Sequence, residues 1–123
     1  MLPKIILEAW EERQLPFVLT TVDPDGVPNS IYVISSGLYE GADIVIADNY
    51  FAKTKANIEG GGKASVLFIT SDGRPYQIKG NLTYHDSGPV YSFMRKVTPE
   101  RFPRRAAVLL HPTEIYSGSE RLL

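Results

Sequence analysis

A lysine and a threonine stand side by side in a stretch whose composition favours anion binding. The stretch runs from Ala42 to Gly62 and reads ADIVIADNYFAKTKANIEGGG. Its second half predicts a helix of about two turns, because apolar residues recur at helical spacing and glycines 60–62 follow. The first turn contains Lys53 and Thr54 but no acidic residue. A helix start normally favours acids, so free amides, a lysine and a hydroxyl together indicate a site for an anion such as a phosphate.

The two lysines of this stretch also have a plainer interpretation. Lys53 and Lys55 are also compatible with solvated charges on a surface helix, and this stretch taken alone favours that interpretation over an anion site. The β-branched run 44–46 just before them predicts a buried strand that is covered on both faces. Asp48 and Asn49 follow that strand, and we expect them to cap the N-terminus of the helix.

The rest of the chain predicts short strands and two further helices. A helix is predicted over Pro3–Arg13 with Trp10 facing the core, and an amphipathic helix is predicted in SGPVYSFMRKV. PFVLTTV and NSIYVIS, joined by DPDGVP, predict a hairpin. SSGLYEGA predicts a turn into the central strand 44–46. KASVLFITS, YQIKGNLTYH and AAVLLHPTEIYSG predict three more strands, the last with a break or bulge near Pro112.

This order of elements predicts a mainly β fold with short helices. Six strands, mostly antiparallel, suit a small closed or split β-barrel formed by a single domain of residues 1–123. Closing the sheet would remove the exposed edges that a flat six-stranded sheet has to protect. An open α+β sheet is the alternative.

Composition argues against several classes of site and partner. The chain has no cysteine, which excludes disulfides, iron–sulfur clusters and thiolate zinc sites. His85 and His111 lack metal-ligand spacing, so neither a metal site nor a Ser-His-Asp triad is expected. A net charge of -1 argues against a dedicated nucleic-acid binder. No apolar run approaches the ~18 residues of a membrane span and no signal peptide is present, so we expect a cytoplasmic protein without membrane contact.

Several of these features together resemble the FMN-binding split-barrel family, which includes pyridoxamine 5′-phosphate oxidase. They are the strand order, the DG hairpin, the length of 123 residues and K-T-x-x-N at residues 53–57. Within the family the chain is most similar to the short FMN-binding proteins of sulfate-reducing bacteria, which share the MLP opening and an IVI-type strand followed by K-T-x-A-N. The resemblance covers nearly the whole chain. It implies a six-stranded antiparallel split β-barrel that binds FMN non-covalently at the interface of a homodimer.

The resemblance also implies which residues hold the FMN phosphate. In such proteins it is bound by the lysine and threonine that open the helix, together with residues of the second strand. These correspond here to Lys53 and Thr54, and to Asn29 and Ser30. The second strand lacks the arginine that many larger relatives place on the phosphate, so Lys53 would carry more of the charge alone.

The isoalloxazine ring of FMN is implied to lie along the second and third strands. The corresponding strand residues are Ile31, Tyr32, Ala47, Asp48 and Asn49. The candidates to cover the ring are Tyr32, Tyr50, and Leu122 and Leu123 of the partner subunit. Backbone groups do much of this recognition in the family, so side-chain identity there says little. No catalytic residue is identified.

The implied function is that of a small flavoprotein, either an electron carrier or an oxidoreductase with an unidentified redox partner or small-molecule substrate. Oxidase activity on pyridoxamine 5′-phosphate is not expected, because those enzymes are longer and carry an arginine-rich substrate site that this chain lacks. Relatives that bind F420 or haem provide one alternative. Another is a non-catalytic OB-like module that binds nucleic acid through the basic cluster Arg95, Lys96, Arg101, Arg104 and Arg105.

Overall fold

The computed structural model describes all 123 residues as one antiparallel sheet with three short helices. The helices are α1 (Lys4–Glu11), α2 (Lys53–Glu59) and α3 (Gly88–Val97). The strands are β1 (Phe17–Val22), β2 (Pro28–Val33), β3 (Ser36–Tyr39), β4 (Asp43–Asp48), β5 (Lys63–Ile69), β6 (Pro75–His85), β7 (Ala106–Ser117) and β8 (Glu120–Arg121). Their order is β2-β1-β5-β6-β7-β4-β3, with β8 paired to β7. No helix is long and apolar enough to cross a membrane.

The two ends of this sheet approach each other and leave a gap between β2 and the end of β4. Only Ile34 and Ser35 separate β2 from β3, although these strands stand at opposite ends of the sheet order. The N–H of Ala47 in β4 donates to the carbonyl of Ser35 at 3.1 Å, which ties the two ends together. The prediction of a mainly β antiparallel split barrel is therefore confirmed.

Apolar side chains alternate between the two faces of the strands and so form two clusters. The larger one fills the barrel with 18 buried residues, where Trp10 of α1 makes edge contacts with Phe17 and Phe68 at 5.7 Å. The smaller one lies under α3, where Met94 packs near Val45 and other outward-facing residues of β4 and β7. Strand β4 is therefore buried on both faces, as its β-branched run predicts.

The structure corrects several details of the predicted elements. There are eight strands rather than six, because the predicted turn SSGLYEGA forms β3 and the C-terminal tail forms β8. The helix α1 is shorter than Pro3–Arg13. The helix α2 begins at Lys53 with Ala52 at its N-cap position and no side-chain cap, so Asp48 and Asn49 do not cap it. Asp48 accepts instead from the N–H of Phe51, which precedes the helix, and both residues also bond to groups that are distant in sequence.

The predicted bulge near Pro112 is present. The register between β6 and β7 shifts between Lys79 and Gly80, and Pro112 lies opposite Gly80. A β-carbon on Gly80 would lie 2.0 Å from the carbonyl oxygen of His111, so the two backbones approach too closely for any other residue.

Candidate functional site

A pocket of about 310 Å³ opens at the gap between β2 and the end of β4. It is bordered by β2, the segments that follow β2 and β4, and the first turn of α2. Its lining residues are Asn29, Ile31, Tyr32, Val33, Ile34, Ser35, Ala47, Asn49, Tyr50, Phe51, Ala52, Lys53 and Thr54. Eight of the twelve residues that the sequence predicts for a cofactor site are among them. Two segments that are distant in sequence thus meet at one cavity.

One end of the pocket is polar and lacks negative charge. The side-chain amide of Asn29 donates to the hydroxyl of Thr54 at 3.3 Å, and Thr54 is almost fully buried. Lys53 is exposed beside them and forms no salt bridge. No aspartate or glutamate lines the pocket. This end therefore combines one free positive charge with hydroxyl and amide donors, which suits an anion.

The other part of the pocket is apolar and open to solvent. Ile31 and Phe51 are half-buried along its wall. Tyr32 and Tyr50 at the opening are 77% and 74% exposed, which is unusual for large aromatic side chains. An apolar wall with exposed aromatic side chains at its opening suits a flat aromatic ligand or the surface of a partner protein.

The buried carboxylate of Asp48 supports the loop that forms one side of the pocket. One of its oxygens accepts from the N–H of Phe51 at 2.9 Å and from the guanidinium of Arg105 at 3.0 Å. Its other oxygen accepts from the hydroxyl of Tyr84. Arg105 also donates to the carbonyl of Phe51 at 2.9 Å. These bonds hold residues 48–51 in place, so Asp48 supports the wall of the pocket without lining it.

The same contacts alter the acidity of Tyr84. Burial, reinforced by the hydrogen bond to Asp48, raises the pKa of Tyr84 to about 12. The hydroxyl therefore remains a donor to Asp48 at neutral pH.

A second contact joins the pocket loop to the basic connector that precedes β7. The side-chain carbonyl of Asn49 accepts from the backbone N–H of Arg104 at 3.0 Å. Arg104 adopts a positive φ of 48°, an uncommon conformation for a residue with a side chain. The connector is therefore held against the pocket from outside.

Sequence reasoning did not find the supporting residues Tyr84 and Arg105. They lie 36 and 57 residues from Asp48 along the chain, so no local pattern links them. The available signal was Asp48 itself, because an acid that ends a strand buried on both faces needs a donor or a cation. That signal indicates the need for a partner but does not identify it.

Three other predicted residues lie away from the pocket. The hydroxyl of Ser30 is 2.8 Å from that of Thr20 on the outer face of the sheet. Leu122 and Leu123 follow β8 and exchange backbone hydrogen bonds with Ile115 of the same chain. They do not line the pocket of their own chain, and their role in a partner subunit's site remains a prediction.

The two histidines come together at a distance from the pocket. Nε2 of His85 and Nε2 of His111 lie 2.7 and 3.1 Å from the hydroxyl of Thr83, and Asp43 is 3.4 Å from Nδ1 of His111. No group of three or more histidine or acidic side chains is arranged to hold a metal ion. Neither histidine lines the pocket.

Comparison with known proteins identifies the family. A family model described as pyridoxamine 5′-phosphate oxidase matches residues 5–118. The chain belongs to this family. A curated relative, the "Uncharacterized protein MJ0282" of Methanocaldococcus jannaschii, is 31% identical over 115 residues, covering 86% of this chain and 74% of that protein.

Solved structures share the fold at lower identity. HupZ of Group A Streptococcus is 23% identical with a TM-score of 0.79, covering 90% of this chain and 91% of that one. An FMN-binding protein of Syntrophomonas wolfei is 19% identical with a TM-score of 0.79, covering 94% and 84%. A structure named F420 reductase is 19% identical with a TM-score of 0.67, covering 85% and 91%. The fold thus occurs both in a protein named for FMN binding and in one named F420 reductase.

Proposed function

We propose that this chain binds FMN non-covalently in the pocket between β2 and β4 and works as a small redox protein, either an electron carrier or an oxidoreductase. The observation that carries the proposal is the division of this pocket into a cationic, carboxylate-free end and an apolar, aromatic part. FMN has the same two parts, a phosphate and a flat ring. When bound, FMN would supply the redox chemistry, and the protein would position the ring and control access to it.

The phosphate is assigned to Lys53, Thr54 and Asn29. Lys53 donates a charge-assisted hydrogen bond, and its charge is available because no carboxylate competes for it. The contact of 3.3 Å between Asn29 and Thr54 holds two further polar groups at the same end before any ligand arrives. Little side-chain ordering then remains for the binding step, which favours affinity.

The ring is assigned to the wall formed by β2 and the 49–51 loop. β2 is the terminal strand of the sheet order and pairs only with β1. The backbone groups on its other edge are therefore free to bond the polar edge of a flavin, while Ile31 and Phe51 contact its faces.

A second copy of the chain would complete the site. Tyr32 in β2, Val18 in β1 and Leu67 in β5 are direct cross-strand neighbours on the outer face of the sheet. Tyr32 and Leu67 are 77% and 47% exposed, and Ile69 beside them is 45% exposed. Since Tyr32 also lines the pocket, a copy that covers this face would bury apolar surface and close the open side of the flavin site.

F420 is the second candidate ligand. It shares the flat ring and phosphate of FMN, so the same two-part pocket suits it, and a protein named F420 reductase has this fold. Haem is a poorer candidate, because neither histidine lines the pocket.

Titration of ligand-free protein tests these assignments. We expect FMN to bind with one molecule per chain and to lose fluorescence or shift its absorbance on binding, whereas riboflavin binds more weakly because it lacks the phosphate. Parallel titrations with F420 and haem rank the alternatives. Absence of saturable FMN binding, or tighter binding of F420 or haem, would refute the assignment to FMN.

A further inference from the structure

The charges of this chain are strongly segregated. Residues 88–105 hold five of its 13 basic residues and one of its 14 acidic residues. This segment, which is α3 and the connector to β7, therefore carries +4, and the remaining 105 residues carry -5. The overall charge of -1 hides this division. Such segregation creates a local positive potential on an otherwise negative molecule, which attracts an acidic partner.

Four of these basic residues have no acidic partner, and all four lie in α3 or in the connector that follows it. We call Arg95, Lys96, Arg101 and Arg104 the basic patch; of the segment's cations only Arg105 forms a salt bridge. The guanidinium of Arg104 donates to the carbonyl of Arg95 at 3.4 Å. Nε of Arg104 is buried without a hydrogen-bond partner. Arg95 and Lys96 lie in the last turn of α3, where the helix dipole favours cations. Arg101 and Arg104 lie beyond the helix, so the dipole does not account for them.

The basic patch lies at the edge of the proposed flavin pocket. The backbone N–H of Arg104 donates to Asn49, and the next residue, Arg105, donates to the carbonyl of Phe51. Both Asn49 and Phe51 line the pocket. A partner that docks on the patch would therefore stand beside the pocket opening.

We propose that the basic patch docks a small acidic electron-carrier protein next to the bound flavin; the choice of an electron carrier rests on the proposed function. Arg95, Lys96 and Arg101 are exposed and do not line the flavin pocket, so they offer a surface on which a macromolecule can dock. Charge complementarity of this kind orients weak, fast complexes.

Two features favour an acidic protein over a nucleic acid. The negative charge of the other 105 residues would repel a long polyanion that extends beyond the patch, whereas a compact acidic surface need not reach them. The aromatic rings next to the basic patch are also already covered by arginine side chains. Arg95 lies 5.6 Å from the ring centre of Tyr91 and Arg101 lies 4.8 Å from that of Phe102, so these rings are not free to stack on bases.

Binding measurements with two acidic carriers, a [2Fe–2S] ferredoxin and a flavodoxin, test the docking directly. We expect at least one of them to bind the full-length chain at about 20 mM NaCl and to lose at least about tenfold in affinity at about 300 mM NaCl. The double variant Lys96→Glu/Arg101→Glu should weaken binding about tenfold or more. The control Lys4→Glu/Lys63→Glu changes the net charge equally at other exposed positions and should weaken binding less than about threefold.

Several results would overturn the proposal. They are no binding to either carrier at low salt, equal weakening by the control, or tighter binding of a 20-base-pair DNA duplex than of either carrier. A parallel FMN titration keeps the two proposals separate. All four variant positions lie outside the pocket, so FMN affinity should not change. Failure of the wild type to bind FMN would refute the proposed function, while the carrier measurement, which needs no flavin, would still report on the patch.

Discussion

Lys53 is the one cation among the residues that line the pocket, and no carboxylate there opposes it. If it donates a charge-assisted hydrogen bond to the FMN phosphate, Lys53→Ala should cost about 1.5–3 kcal/mol of binding, or roughly ten- to 150-fold in Kd. Affinity for riboflavin should hardly change, because riboflavin has no phosphate. Titration of both ligands by flavin fluorescence measures the two effects side by side.

Lys55 provides a matched control for this substitution. It is two residues further along α2, and its ammonium lies 5.3 Å from the ring centre of Tyr84, away from the lining of the pocket. Lys55→Ala removes the same charge but should affect FMN only through weak, salt-screened attraction. Equal losses from the two substitutions, or an equal loss of riboflavin and FMN affinity in Lys53→Ala, would refute the phosphate assignment.

Tyr84 gives a prediction about pH and stability. Its folded-state pKa is about 12, above the ordinary value of 10, chiefly because of burial and then because of its bond to Asp48. A raised pKa means that the folded state holds the proton more tightly than the unfolded state does. The stabilisation is therefore complete below about pH 10 and is lost as the pH rises towards 12.

Urea unfolding of the wild type and of Tyr84→Phe checks this prediction. At pH 8 the substitution should lower the free energy of unfolding by about 1–3 kcal/mol, because buried Asp48 loses a donor. At pH 11 the difference should be smaller. A difference that stays constant or grows with pH would contradict the proposed linkage. Tyr50→Phe, at an exposed tyrosine, is the control and should have little effect at either pH.

At the scale of elements, the bulge between β6 and β7 depends on Gly80. A β-carbon there would lie 2.0 Å from a backbone oxygen, which no rotation of a side chain can relieve. Gly80→Ala should therefore shift the strands and destabilise the fold by about 2 kcal/mol or more. Gly60→Ala is a suitable comparison, because Gly60 has a negative φ of -87° and its nearest neighbour would be 3.4 Å away. Similar unfolding free energies for the two variants would show that the strands can relax at the bulge.

The elements also show what local sequence patterns can and cannot predict. The hairpin of β1 and β2, the doubly covered β4 and the alternation in β6 were predictable, because each depends on the periodicity of adjacent residues. β3 was missed because it is four residues long and contains glycine, so its sequence resembles a turn. Capping by Asp48 was predicted wrongly because the helix begins only at Lys53, while the carboxylate of Asp48 bonds to Phe51 in the preceding loop and to the distant Tyr84 and Arg105.

In the candidate site too, residues that belong to a local pattern were named from the sequence, and residues placed by contacts between distant segments were not. Lys53 and Thr54 were named as candidates from the acid-free helix start and from the family resemblance, and Asn29 from the resemblance; all three line the pocket. Phe51 was not named as part of the pocket wall, because the helical spacing of apolar residues does not show where the first turn begins. The helix begins only at Lys53, after a loop in which the N–H of Phe51 donates to the carboxylate of Asp48.

At the scale of the whole molecule, the apolar outer face of β1, β2 and β5 predicts a homodimer. Leu67→Arg places a charge on that face and should convert dimers into monomers in sedimentation experiments. Because the proposed flavin site is open without the second copy, FMN affinity should fall at the same time. Val27→Arg, at a 58% exposed position in the β1–β2 turn, is the control and should leave both properties unchanged. A wild-type monomer that binds stoichiometric FMN would contradict this assembly.

Binding and folding of the whole molecule are coupled through the ligand. A ligand that binds only the folded state stabilises it by RT ln(1 + [L]/Kd), or roughly 2.7 kcal/mol at a hundredfold excess over Kd. FMN should therefore raise the Tm of stripped protein by several degrees, and riboflavin should raise it less at the same concentration. The Lys53→Ala variant should lose most of the difference between the two ligands, since the one charged contact proposed for the phosphate is gone. Thermal scans at several ligand concentrations measure this, and an equal rise with FMN and riboflavin in the wild type would show that the phosphate contributes nothing to binding.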